Sequence, residues 1–271
     1  MTNAIETTAN EVNKEEQQKE TPLEFLASMC SIFAVALFVL TFVFQNFEIP
    51  SGSMEKTLLI GDHVLVDRIS LAPSSKWAPF LFSRDVRHGD IIVFLKPGYP
   101  DLFLVKRAIG LPGDRIHLKD GIVYLNGVRQ DEPQISMPVE DGVSYHAFDP
   151  YRDDFPSVPP DEYHDVTASW QIDLPNHIQD GDLVVPPGKV FAMGDNRINS
   201  LDGRFWGFVP RENILGRPLF NYWSFVTPEE QVLKQESGGP QSIGDRISYM
   251  GHILIHFFDQ TRWRRTLHLI R

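Results

Sequence analysis

The chain has 271 residues, enough for one large cored domain or two smaller ones, and its net charge of −11 excludes a broad nucleic-acid footprint. A single cysteine, Cys30, excludes an intrachain disulfide and any cysteine-based zinc site. Its position inside an apolar run makes it a poor nucleophile.

Residues 1–24 are polar, charged and without apolar periodicity, which predicts a disordered tail. No charged residue then occurs between Glu24 and Glu48, and the run from Phe25 to Phe44 is almost wholly apolar. About 20 such residues cross a bilayer core as a helix, so a transmembrane helix is predicted over 25–47. A cleaved leader fits poorly, because the preceding segment is acidic and the apolar run is too long. Lys14 and Lys19 before the span and Lys56 and Arg68 after it nearly balance, so charge leaves the orientation open.

The remainder reads as mainly β, with a catalytic domain in two parts, 48–130 and 181–234. His63–Ile69, Asp90–Leu95 and Leu102–Ile109 are strand-like runs. Residues 115–129 read as a meander turning at Asp120-Gly121 and Asn126-Gly127. Leu183–Val185 and Lys189–Met193 flank the turn Pro186-Pro187-Gly188. Between the two parts, 131–180 is rich in Asp, Glu and Pro; an inserted acidic, β-rich subdomain and a long ordered excursion both fit. Residues 235–271 read as a linker and an amphipathic, basic C-terminal helix. Plotted at 100° per residue, Ile247, Met250, Ile253, Leu254, Phe257 and Phe258 share one side of that helix and Ser248, His252, His256 and Asp259 the other. Basic residues follow. A helix lying on a membrane surface and a helix docked on the β domain are both compatible with this pattern.

No histidine sits in a Ser/His or HExxH context: His252 and His256 are one turn apart, but no glutamate follows His252. The acidic excursion lacks calcium-loop spacing, so no metal site is predicted. The alternative is a serine activated by lysine, which needs a lysine stripped of water. Lys106, flanked by Leu104, Val105, Ala108 and Ile109 in an apolar strand, fits that requirement, and a lysine guarding an edge strand against further pairing fits the same pattern. Ser51-Gly52-Ser53-Met54, just after the span, is a small-residue loop in which Gly52 permits sharp turns. Such a loop can aim a hydroxyl and a backbone N–H at one point.

The string IPSGSMEKTLLIGD resembles the serine motif of type I signal peptidases. RHGDIIVF, VKRAIGLPGD and AMGDNRINSLDGRFWGFVP resemble that family's later motifs, in the same order. The resemblance implies a signal-peptidase-like β scaffold outside the cytoplasmic membrane, on the periplasmic or extracellular side. It also implies a serine endopeptidase that cuts signal peptides from exported preproteins without a cofactor. By motif match Ser53 is the nucleophile and Lys106 the general base. Ser51 and the Ser53 N–H form the oxyanion hole, Ser200 orients the lysine, and Gly194 lies close to the dyad. Arg107, Asp195, Asp202 and Arg204 are supporting residues, the last two as a salt bridge. Phe47, Ile49, Met54, Val64, Val66, Leu104 and Val105 line shallow pockets for small side chains at substrate positions −1 and −3. The expected partners are preprotein substrates and the lipid bilayer, with no nucleic acid. Three departures stand out: Lys56 where proline is usual, Ile198 where aspartate is usual, and Gly203 where serine is usual. A Ser/Lys self-cleaving regulator and an inactive membrane-tethered binding domain are the competing readings. The span and later motifs argue against the first, and intact Ser53, Lys106 and Ser200 against the second.

Overall fold

The computed structural model describes residues 21–71, 83–136, 139–140, 143–144, 148–160, 164–228, 230–232 and 242–270. The chain divides into two units, Met1–Val43 and Phe44–Arg271.

In the first unit Thr21 caps helix α1 (Pro22–Phe38). Its hydroxyl accepts the Glu24 N–H, while the Glu24 carboxylate accepts the Thr21 N–H at 2.8 Å. Pro22, with no N–H to satisfy, occupies the first turn. Residues 22–24 therefore belong to the helix, not to the predicted tail; residues 1–20 of that tail lie outside the described residues. A π-helical turn, Val39–Val43, extends α1, and the 22 residues Pro22–Val43 are long and apolar enough to cross a membrane. At 1.5 Å per residue they reach about 33 Å, against a hydrocarbon core of about 30 Å.

The predicted helix ends four residues too late. Phe44–Glu48 is strand β1, and its backbone pairs antiparallel with β2 (Asp62–Asp67), from Phe44 opposite Asp67 to Glu48 opposite His63. Gln45 and Asn46 break the apolar run there, and ladder pairing satisfies their backbone groups.

The second unit is built on antiparallel sheets, from β3 (Ile91–Leu95), β4 (Phe103–Gly110), β5 (Arg115–Lys119), β6 (Ile122–Leu125) and β7 (Val128–Arg129) onward. They are followed by the two-residue pair β8 (Val139–Glu140) and β9 (Val143–Ser144), then β10 (Ile178–Gln179), β11 (Asp182–Val184) and β12 (Lys189–Met193). The last strands are β13 (Val209–Pro210), β14 (Ile214–Ser224) and β15 (His268–Leu269). The main sheet runs β1-β2-β14-β3-β4-β12-β13 with β15 on β14; the second runs β10-β11-β5-β6-β7. The meander turns as its sequence dictates: Asp120-Gly121 and Asn126-Gly127 both take φ > 0 at each residue, as a type I′ turn requires. The strands flanking Pro186-Pro187-Gly188 fall in different sheets, so that turn joins the two sheets and does not close a hairpin.

Period-2 alternation in β3 and β4 divides the core. Ile92, Phe94 and Ala108 join a large cluster, whereas Ile91, Val93 and Val105 pack with Ile49, Met54, Leu58, Val64 and Val66 in a smaller one.

Among the described residues, the acidic stretch 131–180 packs into the main domain and shows no core of its own. Helices α2 (Pro150–Asp153) and α3 (Ala168–Asp173), with the residues around them, send Tyr151, Phe155, Val166, Trp170 and Leu174 into the large cluster. These apolar residues are spaced among the acids and bury themselves in the main domain. Helix α4 (Gly203–Trp206) follows the last motif.

The tail also differs from expectation. Helix α5 (Ile243–Ile255) ends at His256, whose φ of −104° and ψ of 17° leave the helical region. A short helix α6 (Phe257–Gln260) follows, and the chain then returns to the sheet as β15. The predicted linker lies outside the described residues from its start to Gln241.

Candidate active site

The loop carrying Ser53 hangs between β1 and β2. Ile49 N–H donates to Asp62 C=O at 2.9 Å, and Gly61 N–H returns the bond to Ile49 C=O at 3.0 Å, closing its root. Ser51 is extended and Gly52–Met54 forms a single 3₁₀ turn. Met54 and Leu58, at 1% and 0% exposure, plug into the smaller core cluster, and Ser53, just before Met54, stays half-buried. Gly52 is not left-handed; in this loop Lys56, at φ 76°, and Gly61, at φ 81°, are. The Lys56 ammonium donates to the Ile135 carbonyl at 2.6 Å, which ties the loop to the start of the acidic stretch.

Lys106 lies in β4 opposite Ile92 and is 3% exposed. Its Nζ donates to Ser53 Oγ. Burial pushes its pKa down to about 8, against the pull of Asp202 and Asp195 and with help from Arg204. Ser51 Oγ stands 3.4 Å from Ser53 Oγ, within reach of an oxygen developing charge beside it.

Gly194 closes the site from β12. A Cβ there would lie 2.3 Å from Ser200 Oγ and 2.5 Å from the Ser53 carbonyl oxygen, so only glycine allows this approach. Ser200 therefore stands beside the dyad, but its buried hydroxyl has no hydrogen-bond partner. The expected bond to Lys106 is not formed, because the lysine amine is directed at Ser53 and the Ser200 hydroxyl packs against Gly194.

Two buried ion pairs frame the dyad. Arg204 Nε and Nη2 grip Asp202 at 2.9 and 2.8 Å, and the Gly194 N–H donates to the same carboxylate at 3.0 Å. Burial opposes the ionisation of Asp202, but Arg204 and the Gly194 N–H outweigh it and hold the carboxyl below its ordinary range. Arg107 grips Asp195 through Nε at 2.7 Å and Nη2 at 2.6 Å, and Thr57 Oγ1 donates to the same carboxylate at 2.5 Å. Adjacent residues of β4 thus serve opposite faces, Lys106 reaching Ser53 and Arg107 reaching Asp195.

Sequence reasoning missed Asn196. Its backbone N–H donates to the Ser53 carbonyl at 3.1 Å, and its side-chain amide donates to Gly52 C=O at 3.2 Å and to Glu55 Oε2 at 3.1 Å. It also missed Glu132, which pairs with the buried Arg197. The only signal for Asn196 was its place directly after Asp195; no spacing rule singles it out.

A groove of about 250 Å³ opens at the dyad, lined by Phe47, Ile49, Met54, Leu104 and Val105 of the expected pocket and by Glu48, Pro50 and Phe103, which were not anticipated. Val64 and Val66 do not line it. Both are 0% exposed, on the inward face of β2, where alternation with His63 and Leu65 places them in the core. Among the described residues no group of His, Cys, Asp or Glu could hold a metal ion.

A family model described as signal peptidase, peptidase S26, matches residues 23–223. Signal peptidase I of Buchnera aphidicola is 32% identical over 85% of this chain and 82% of its own length. A probable signal peptidase I-2 of Synechocystis is 34% identical, over 80% of this chain and 82% of its own. Signal peptidase I of Aquifex aeolicus is 33% identical, over 73% of this chain and 85% of its own.

Proposed function

This chain belongs to the signal peptidase family, peptidase S26, and from that premise we propose that it is a membrane-anchored serine endopeptidase that removes signal peptides from exported preproteins. The observation that carries the reading is a buried lysine, with its pKa lowered to about 8, donating to a serine hydroxyl at the mouth of an apolar groove.

Neutral Lys106 takes the proton from Ser53 Oγ as that oxygen attacks the scissile carbonyl. The Ser53 N–H and Ser51 hydroxyl hold the resulting oxyanion. The ammonium of Lys106 then protonates the leaving amine, and water activated by the same lysine releases the acyl group. No cofactor enters this sequence. Asp202, Arg204, Arg107 and Asp195 hold the strands that carry the dyad, and Gly194 and Ser200 shape the space around it.

The groove is lined largely by apolar side chains and is small, so it suits small residues at positions −1 and −3. Bulk there collides with Leu104 and Ile49, and charge loses its water. The apolar helix Pro22–Val43 supplies the anchor. We assign the catalytic unit to the outer face of the cytoplasmic membrane, where signal peptides emerge.

The test is cleavage of a preprotein by the purified full chain in detergent. A substrate with Ala at −1 and −3 is cut, one with Leu at −1 is not, and Ser53→Ala abolishes cutting without loss of fold. Cleavage by a folded Ser53→Ala protein, or equal rates after alanine and leucine, would overturn the assignment.

A further inference from the structure

Helix α5 is amphipathic in the reverse sense for a helix lying on a soluble domain. Ile243, Ile247, Met250 and Leu254 recur at helical spacing and fall within an arc of about 60° on a 100° wheel. All four are exposed, at 78%, 65%, 62% and 78%. The side turned to the β domain is the polar one. His252 packs edge-on against Phe225 and bonds Gln260, and the Tyr249 hydroxyl is buried. Phe258, Trp263, Leu267 and Leu269 beyond the helix are exposed as well. An apolar helix face left open in this way marks a contact surface.

The same stretch is cationic within an anionic chain. Residues 242–270 hold Arg246, Arg262, Arg264 and Arg265 against Asp245 and Asp259, in a protein of net charge −11. Two of these arginines are spent on the domain. Arg265 pairs with buried Asp62 at 2.6 Å and bonds the Thr57 carbonyl at 3.0 Å, and Arg262 bonds the Ile60 and Phe225 carbonyls. They staple the tail to the segment just beyond Ser53. Arg264 is exposed beside Trp263.

We infer that the outward face of the tail, from Ile243 to Leu269, rests in the surface of an anionic bilayer. Three observations select lipid over other occupants. An apolar helix face with an interfacial tryptophan and an arginine at its end has the chemistry of a helix lying in headgroups. Arg246 and Arg264 stay exposed to meet anionic headgroups, while Asp245 is held by the Ser242 N–H and Asp259 by His256; a second copy of this chain would present mostly negative charge. The membrane-crossing run ends at Val43, and the unit that carries the tail begins at the next residue, Phe44, so the chain that bears this face is itself tethered to a bilayer. Through Arg262 and Arg265 a tail seated on lipid holds the Ser53 loop close to where a membrane-inserted substrate emerges. The contact itself does not depend on the catalytic reading, and its test uses no cleavage.

The test places single cysteines in the full chain carrying Cys30→Ala. Ile247→Cys and Leu254→Cys probe the tail, and Ile172→Cys, 78% exposed on α3, is the comparison site. All three positions are open enough to accept a label without repacking. Each is labelled with an environment-sensitive fluorophore and reconstituted in phosphatidylcholine vesicles with and without phosphatidylglycerol. Labels at 247 and 254 should be quenched by lipid-borne nitroxide and shielded from aqueous iodide, more so with phosphatidylglycerol, while the label at 172 shows the reverse. Arg264→Gln should lower the ratio of lipid-seated to lifted tail about fivefold, the factor for ~1 kcal/mol per arginine. Iodide quenching at 247 and 254 equal to that at 172 would overturn the inference. Self-quenching between labelled copies in detergent would assign the face to a second chain instead.

Discussion

The lowered pKa of Lys106 predicts the shape of the pH–rate profile. The perturbation is pH alone, and its magnitude follows from the folded value of about 8 against 10.5 for an ordinary lysine. At pH 7 about one enzyme molecule in ten then carries the neutral amine that can accept the Ser53 proton; at the ordinary value it would be about one in 3,000. Burial thus raises the active fraction roughly 300-fold at neutral pH. Below about pH 7, kcat/KM should climb close to tenfold per pH unit, bend near 8 and level off above about 9. The assay measures kcat/KM for an internally quenched signal-sequence peptide, with the full chain in detergent, between pH 6 and 9.5. A midpoint near 6.5 would point to a histidine, and a climb without a bend up to 9.5 would mean that Lys106 is not desolvated. Either result refutes the argument.

Lys106→Met should eliminate activity yet stabilise the protein. Because the folded pKa lies below the unfolded one, stability rises with pH between about 8 and 10.5, and below 8 the buried ammonium costs ~3 kcal/mol that methionine avoids. Thermal unfolding at pH 7 and at pH 10.5 checks this: the advantage should be present at the first and absent at the second, and a methionine variant no more stable at pH 7 would contradict it. Asp202→Asn leaves the Arg204 guanidinium buried without its counter-charge and should cost about 3–5 kcal/mol by thermal unfolding. The same change removes a charge that raises the Lys106 pKa, so in the protein that still folds the acid limb should move to lower pH, and an upward shift would count against the electrostatics. Asn196→Ala removes two side-chain bonds to the nucleophile loop; a fall in kcat of roughly tenfold, with KM nearly unchanged, is the expected signature of a misplaced serine.

Much of the fold was legible because its signals are local. Alternation placed β2, β3 and β4 to within about two residues, and Asp-Gly and Asn-Gly marked the meander turns. The site was legible for a different reason: Ser53 and Lys106 stand in motif strings, and a lysine in an apolar strand already reads as desolvated. Where reasoning failed, the deciding interaction was distant in sequence. Phe44–Phe47 look like the end of an apolar helix until β2 offers a ladder. Val64 and Val66 are apolar and near Ser53 in the chain, but strand parity turns them inward. The acidic stretch looked separate because its acids outnumber Tyr151, Phe155 and Trp170, which fill the main core. Asn196 carries no pattern, since its function depends on a loop that lies more than 100 positions earlier in the chain.

The left-handed turn at Lys56 makes that position a joint between two distant segments. Proline, the residue that the resemblance leads one to expect at that position, holds φ near −65° and cannot reach +76°. Nor can it replace the ammonium that caps the Ile135 carbonyl. Proline is therefore incompatible with this loop unless the backbone of the Ser53 turn and the anchorage at Ile135 change with it. The two segments are coupled through one side chain, so a Lys56→Pro change made alone would disturb the turn and release the Ile135 carbonyl together.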